Sequence, residues 1–333
     1  MVFCFGELLL RMSPSLNKEW IRKATMPVYV GGSELNVATA LTKWNIPVKY
    51  CTALPENYLS KEIVEEVKEK TIDISSIYFF GNRIGTYFLP QGADLKNTGV
   101  IYDRFFSSFY DLCPGMINWD EALKDCTWFH FSAISPALNE NVAAVCKEAL
   151  QAASAKNLTI SIDLNYRSKL WQYGKKPVEI MPELVKSGHV IMGNLWSVES
   201  LLGIPSPIKE SAGKTHDELV QASGESMLQL HSHYPKATTF AYTFRLENNY
   251  WAVLQHGSER AISKQFTIGQ VVDKVGSGDC FMAGLIHGLY SNHNPRDIIN
   301  YSAAAAVGKL QEKGDATSNT IESVNTVLTN GKA

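Results

Sequence analysis

No two cysteines in this chain stand at C-x-x-C spacing, and the six present, Cys4, Cys51, Cys113, Cys126, Cys146 and Cys280, are dispersed. That excludes a disulfide framework and reads as reduced thiols in a cytoplasmic protein. No apolar run approaches the roughly 20 residues needed to span a bilayer, so no membrane partner is expected. The opening "MVFCFGELLL" is apolar, but it lacks a basic leader, contains Glu7 and stops at Arg11, which fits a first buried strand better than a signal peptide. An excess of one charge is missing too: 31 Lys and Arg face 33 Asp and Glu. Such a balance speaks against nucleic acid, whose phosphates call for a basic surface. The "HSH" at His231–His233 has no second cluster of His, Cys or acids at matching spacing, so it reads as a loop or helix-end pair and carries no metal chemistry.

What is present is enough apolar material, 45% of 333 residues, for one large core with an appendage. "GGSELNVATALTKW" opens on two glycines and then spaces Leu35, Val37, Ala38, Leu41 and Trp44 as a helix does. "VKYCTAL" reads as a strand, "SKEIVEEVKEK" as an amphipathic helix and "WFHFSAIS" as another strand. "NVAAVCKEALQAASAK" then forms a helical face, and "LTISIDLN", with Leu158, Ile160, Ile162 and Leu164, a buried strand. The alternation predicts a mostly parallel sheet covered on both faces. Residues 12–31 and 84–106 break the rhythm with short β-like pieces, "MPVYV", "GTYFLP" and "GVIYDRFF", which would pair as a small antiparallel sheet and serve as a lid. The alternative is two ordinary surface excursions. The stretch from Gly203 to Lys214 reads as a loop, and "AAAA" at 303–306 as the close-packed face of a late helix.

"DKVGSGDCFMAG", residues 273–284, concentrates the chemistry. Phe281, Met282, Leu285, Ile286 and Leu289 recur at helical spacing, so Gly276, Ser277 and Gly278 form a turn at a helix N-terminus. Unpaired N–H groups and the positive end of the helix dipole suit a phosphate there. Asp279 reads either as a helix cap or as a base that accepts a hydroxyl proton while that oxygen attacks phosphorus. No Lys-Ser or Lys-Thr follows the last glycine, so this is not a Walker A loop.

These residues resemble a known family. Asp273, Gly276, Gly278, Asp279, Phe281, Ala283 and Gly284 match the C-terminal signature of the ribokinase-like, or PfkB, carbohydrate kinases, and Gly31, Gly32, Asn36 and Ala38 match the N-terminal one. Within it, "YVGGSELNVA", "FHFSAISPAL" and "SIDLNYRSKLW" look like the 2-keto-3-deoxygluconate kinase branch, and the likeness covers nearly the entire chain. The resemblance implies a ribokinase-like three-layer α/β/α fold over residues 1–333 with the β lid inserted in it. It implies ATP and Mg²⁺ as cofactors and a small sugar acid as the other partner, phosphorylated at its terminal 6-hydroxyl. Assembly of copies through the lid is left open.

By the same resemblance, Gly32 and Asn36 would lie against the sugar, with Tyr87, Tyr102 and Arg104 reaching down from the lid. Arg167 would bind the acid end, Asp279 would act as base, and Gly276, Ser277 and Gly278 would stabilise the transferring group. Asn194 and Arg245 would lie on the nucleotide side, where Gly276 and Gly278 also contribute. Physical readings stand beside these roles. Arg167 lies just beyond the strand "LTISIDLN", where open α/β sheets place ligands, and its fork matches a carboxylate; a salt bridge to Asp163 is the alternative. Tyr87 and Tyr102 are also ordinary strand aromatics. Two departures concern the nucleotide half: Ser197 stands where an N-x-x-E motif carries Glu, and Phe244 and Glu247 in "YTFRLENN" stand where relatives carry glycines. They keep alive a fructokinase or other ketose kinase, and a sugar-acid sensor with little catalysis.

Overall fold

The computed structural model describes residues 1–15, 17–92 and 99–331. Its strands are β1 (Val2–Phe5), β2 (Leu9–Met12), β3 (Val28–Gly31), β4 (Val48–Leu54), β5 (Asp73–Phe79), β6 (Gly85–Phe88), β7 (Ile101–Asp103), β8 (Trp128–Ser132), β9 (Thr159–Asp163), β10 (Val190–Gly193), β11 (Thr239–Arg245), β12 (Asn249–His256), β13 (Glu259–Ile262) and β14 (Phe266–Thr267). Ten of them form the main sheet in the order β13-β12-β11-β10-β9-β8-β1-β4-β5, with β14 beside β12. From β5 to β11 every pairing is parallel, and β12, β13 and β14 extend the edge antiparallel.

The sheet is buried on both faces, and the two-residue period of a strand shows it directly. Val2 and Cys4 of β1 point into one core with Leu35, Phe281 and the Ala303–Ala306 run. Phe3 and Phe5 point into the other, with Val142, Val145 and Ala149. The expected helices are there: Ser33–Lys43 after the double glycine, Glu140–Ala155 capped by the Asn139 side chain, and Pro295–Lys309 carrying the four alanines. His231 and His233 lie in the last turn of the helix His216–His233 and bond main-chain carbonyls.

A separate four-stranded sheet, in the order β3-β2-β6-β7, stands at the carboxyl ends of the main-sheet strands β1 and β5. Its strands fall within or beside the two stretches that broke the α/β rhythm; residues 93–98 of the second lie outside the described residues. Two expectations are corrected. The apolar opening is two strands: the chain leaves the main sheet after Phe5, and the small sheet begins at Leu9. At the break, the Gly6 carbonyl accepts from the Tyr50 hydroxyl, and Glu7 is buried with side-chain partners of its own. The small sheet is also mixed, because β2 and β6 pair in parallel. Each follows a strand of the parallel main sheet after a short link, β1 to β2 and β5 to β6, so they set out in the same sense.

Candidate active site

The glycine turn is built as its spacing predicts. Gly276, at φ 81°, is the N-cap of the helix Ser277–Tyr290. Only glycine fits there: a Cβ would lie 1.8 Å from the Asp315 carbonyl oxygen. A Cβ on Gly278 would meet nothing within 4 Å, so the face of the turn over that residue is open. The Ser277 hydroxyl donates to the Ala306 carbonyl at 2.9 Å, which leaves main-chain N–H groups as what the first turn offers a ligand.

Asp279 is the third residue of this helix and does not cap it. Its Oδ1 accepts from the Ser33 hydroxyl at 2.9 Å and its Oδ2 from Asn36 Nδ2 at 2.7 Å. Both donors belong to the helix Ser33–Lys43, whose N-cap is Gly32. Gly32 has φ 138°, and a Cβ on it would lie 2.3 Å from the Glu7 carbonyl. Burial pushes the Asp279 carboxyl above the ordinary carboxylate range, while the bonds from Asn36 and Ser33 and the charges of Arg167 and Lys309 pull it back. Asn36 is itself buried, and its Oδ1 has no protein partner.

A cavity of about 890 Å³ opens beside Asp279, and all twelve site residues expected from the sequence line it. It has the size of a small-molecule site. Several of these residues also have partners within the protein. Arg104 is 4% exposed, and its guanidinium is paired with Glu7, Nε to Oε2 at 2.5 Å. Tyr87 spends its hydroxyl proton on Asp315 Oδ2 at 2.9 Å. Its cross-strand neighbour Tyr102 stands at a ring separation of 6.2 Å, half-buried. Arg167 is half-buried and ties NH1 to the Tyr166 carbonyl at 3.1 Å.

On the other side of the cavity, Asn194 is the N-cap of the helix Leu195–Leu202. Its Oδ1 accepts from the main chain of Trp196 and Ser197, and Ser197 Oγ accepts from the Asn194 N–H at 2.9 Å. Serine here completes a capping box, a structural use of the position. Phe244 is buried and stacks on its cross-strand partner Trp251 at 4.3 Å, so "YTFRLENN" is the bend of the β11–β12 hairpin. Arg245 and Lys274 bring positive charge to the same wall. Among the described residues no three His, Cys, Asp or Glu are placed to hold a metal ion.

Sequence reasoning missed Ser33, Glu7 and Asp315. Ser33 could have been found, because it lies three residues before Asn36 on one helical face. Glu7 was visible as an acid inside an apolar run. Asp315 had no local signal, since its partners Arg11 and Tyr87 lie more than 200 residues away in sequence.

The family model described as pfkB family carbohydrate kinase matches residues 1–322. A 2-dehydro-3-deoxygalactonokinase of Haloferax volcanii is 26% identical over 333 residues, covering 99% of this chain and 96% of that protein. A 5-dehydro-2-deoxygluconokinase of Clostridium tetani is 22% identical, over 92% of this chain and 85% of that one. The crystal structure of a 2-dehydro-3-deoxygluconokinase from Thermotoga maritima superposes with a TM-score of 0.88 at 28% identity, covering 98% and 99% of the two chains. With residues 1–322 matched and its α/β/α architecture reproduced, the chain belongs to the pfkB family of carbohydrate kinases.

Proposed function

We propose that this sugar kinase transfers the γ-phosphoryl group of ATP to the terminal 6-hydroxyl of 2-keto-3-deoxygluconate or a close epimer. The observation that carries this reading is Asp279: a buried carboxylate held at both oxygens, in the first turn of a helix with an open face, at the wall of a cavity that Arg167 also lines. In this reading the sugar lies over Gly32 and Asn36, and the Asn36 Oδ1, otherwise without a partner, accepts from a sugar hydroxyl. Arg167 donates its remaining N–H groups to the acid end.

Asp279 takes the proton of the terminal hydroxyl as its oxygen forms a bond to the γ-phosphorus. The bond from that phosphorus to the bridging oxygen breaks, and ADP carries away the electron pair. The N–H groups of Ser277 and Gly278 stabilise charge on the transferring group, with Lys274 and Arg245 on the same wall. Mg²⁺ bound with the nucleotide would offset the phosphate charge.

The test is ATP-dependent transfer by the purified protein to 2-keto-3-deoxygluconate, its galactonate epimer, 5-dehydro-2-deoxygluconate, fructose and ribose in parallel. Turnover on the 2-keto-3-deoxy acids, reduced about 10²- to 10⁴-fold in Asp279→Asn, is the expected outcome. Preference for fructose would remove the carboxylate role of Arg167. Sugar-acid binding without transfer to any acceptor would make the protein a sensor.

A further inference from the structure

Three buried charges, Arg11, Lys309 and Asp315, and the half-buried Asp273, none of them used by the mechanism, join the small sheet to the phosphate turn. Arg11, on β2, is 2% exposed and lies between two acids, NH2 2.6 Å from Asp273 Oδ2 and Nε 2.7 Å from Asp315 Oδ1. Lys309, at the end of the helix Pro295–Lys309, is fully buried and donates to the carbonyls of Gly314 at 2.9 Å and Glu312 at 3.2 Å. Asp273 accepts from the Val275 N–H at 3.1 Å and from the Gly314 N–H at 3.3 Å, closing the cluster around the loop that carries Asp315.

Asp315 is the member that faces both ways. Its carboxylate receives Tyr87 from β6 and Arg11 from β2, two strands of the small sheet. Its main-chain carbonyl presses on Gly276, where no Cβ would fit. Stability does not account for the arrangement, because each buried ion carries a desolvation cost of several kcal/mol and well-packed apolar side chains often do as well or better. Burial in fact holds the Asp315 carboxyl up at about 6, even with Arg11 beside it.

The geometry points to Asp315 as a positioning residue that couples the seating of the small sheet to the shape of the phosphate turn. When β2 and β6 are docked, Arg11 and Tyr87 fix the carboxylate, and the attached carbonyl then fixes Gly276. Nucleotide affinity therefore depends on a lid hydroxyl, even with no sugar bound. The inference rests on the nucleotide reading of the Gly276 turn and is independent of which sugar is phosphorylated.

Binding of a non-hydrolysable ATP analogue with Mg²⁺ to the sugar-free protein, measured by calorimetry in a double-mutant cycle of Tyr87→Phe and Asp315→Ala, tests it. Removing the Tyr87 hydroxyl is expected to weaken analogue binding about threefold or more, as loss of part of a hydrogen bond to a charged group would. In the Asp315→Ala background, which has no acceptor for that hydroxyl, the same change is expected to have no further effect. Unchanged affinity in Tyr87→Phe would overturn the proposal, as would an effect that persists in full beside Asp315→Ala, because the hydroxyl would then act on the nucleotide directly. Should Asp315→Ala not yield folded protein, Tyr87→Phe alone decides. A parent protein that binds no analogue overturns the nucleotide reading of the turn and this proposal with it. A wrong sugar assignment leaves the cycle untouched.

Discussion

Replacing Arg167 by methionine keeps most of the side-chain volume and removes the guanidinium. The structure sets the size of the effect. One N–H group of Arg167 is tied to the Tyr166 carbonyl, and a guanidinium has five, so others can meet a substrate carboxylate. The residue is half-buried, which puts the interaction above an exposed ion pair and below a fully desolvated one. A charged hydrogen-bonded contact of about 1.5–3 kcal/mol corresponds to about 10- to 150-fold in kcat/KM. The assay is a competition between a 2-keto-3-deoxy sugar acid and the neutral ketose fructose, each at limiting concentration, with ADP formation followed in both. The acid should lose that factor while the neutral sugar changes by less than about threefold, since it makes no ion pair there. Arg167→Lys should recover only part of the loss, because an ammonium keeps the charge and gives up the fork. Equal losses on acid and neutral sugars would refute the reasoning and leave Arg167 as a support for the Tyr166 loop.

The two glycines of the turn separate stability from nucleotide use. Gly276→Ala meets the Asp315 carbonyl at a positive φ and should lower the melting temperature through at least about 1–3 kcal/mol of strain, seen by calorimetry. Gly278→Ala adds a methyl to open space and should melt with the parent while raising KM for MgATP, read from initial rates. Glu34 is fully buried, and burial raises its carboxyl to about 7 against an ordinary 4.5. The folded state therefore holds that proton more tightly than the unfolded chain, so its stabilising effect is complete below about 4.5 and lost as pH rises through about 7. Glu34→Gln, which can still accept from the Ser132 N–H, should melt higher than the parent at pH 8, with the difference vanishing by pH 4.5.

The main sheet was legible because its strands are short continuous apolar runs between helices of clear 3.6-residue period. Leu158, Ile160 and Ile162 are all within the core. The break between β1 and β2 was hidden for the same reason: apolar residues resume directly after it, and only Gly6 and Glu7 mark the place where the backbone turns away. Asp279 and Asn36 were each found from short motifs, but the bond between them spans 243 residues and is a product of the fold. Arg104 shows the limit most plainly. The arginine could be placed beside a cavity from its motif, but its pairing with Glu7, 97 residues earlier, is visible only in the fold. Asn194 and Ser197 differ again, because a cap and a metal motif use the same spacing and only the formed helix distinguishes them.

The bond from Asn36 to Asp279 also governs when the molecule can act during its synthesis. Asn36 emerges from the ribosome early, together with β1, the strand around which the main sheet is assembled. A domain folds as a unit, so the contact between the two ends of the chain forms only once the second of them has been made. The carboxylate that Asn36 holds is added 243 residues later, and the Asp315 loop that backs Gly276 later still. A chain that stops before Asp279 therefore keeps Ser33 and Asn36 but lacks the carboxylate that they hold.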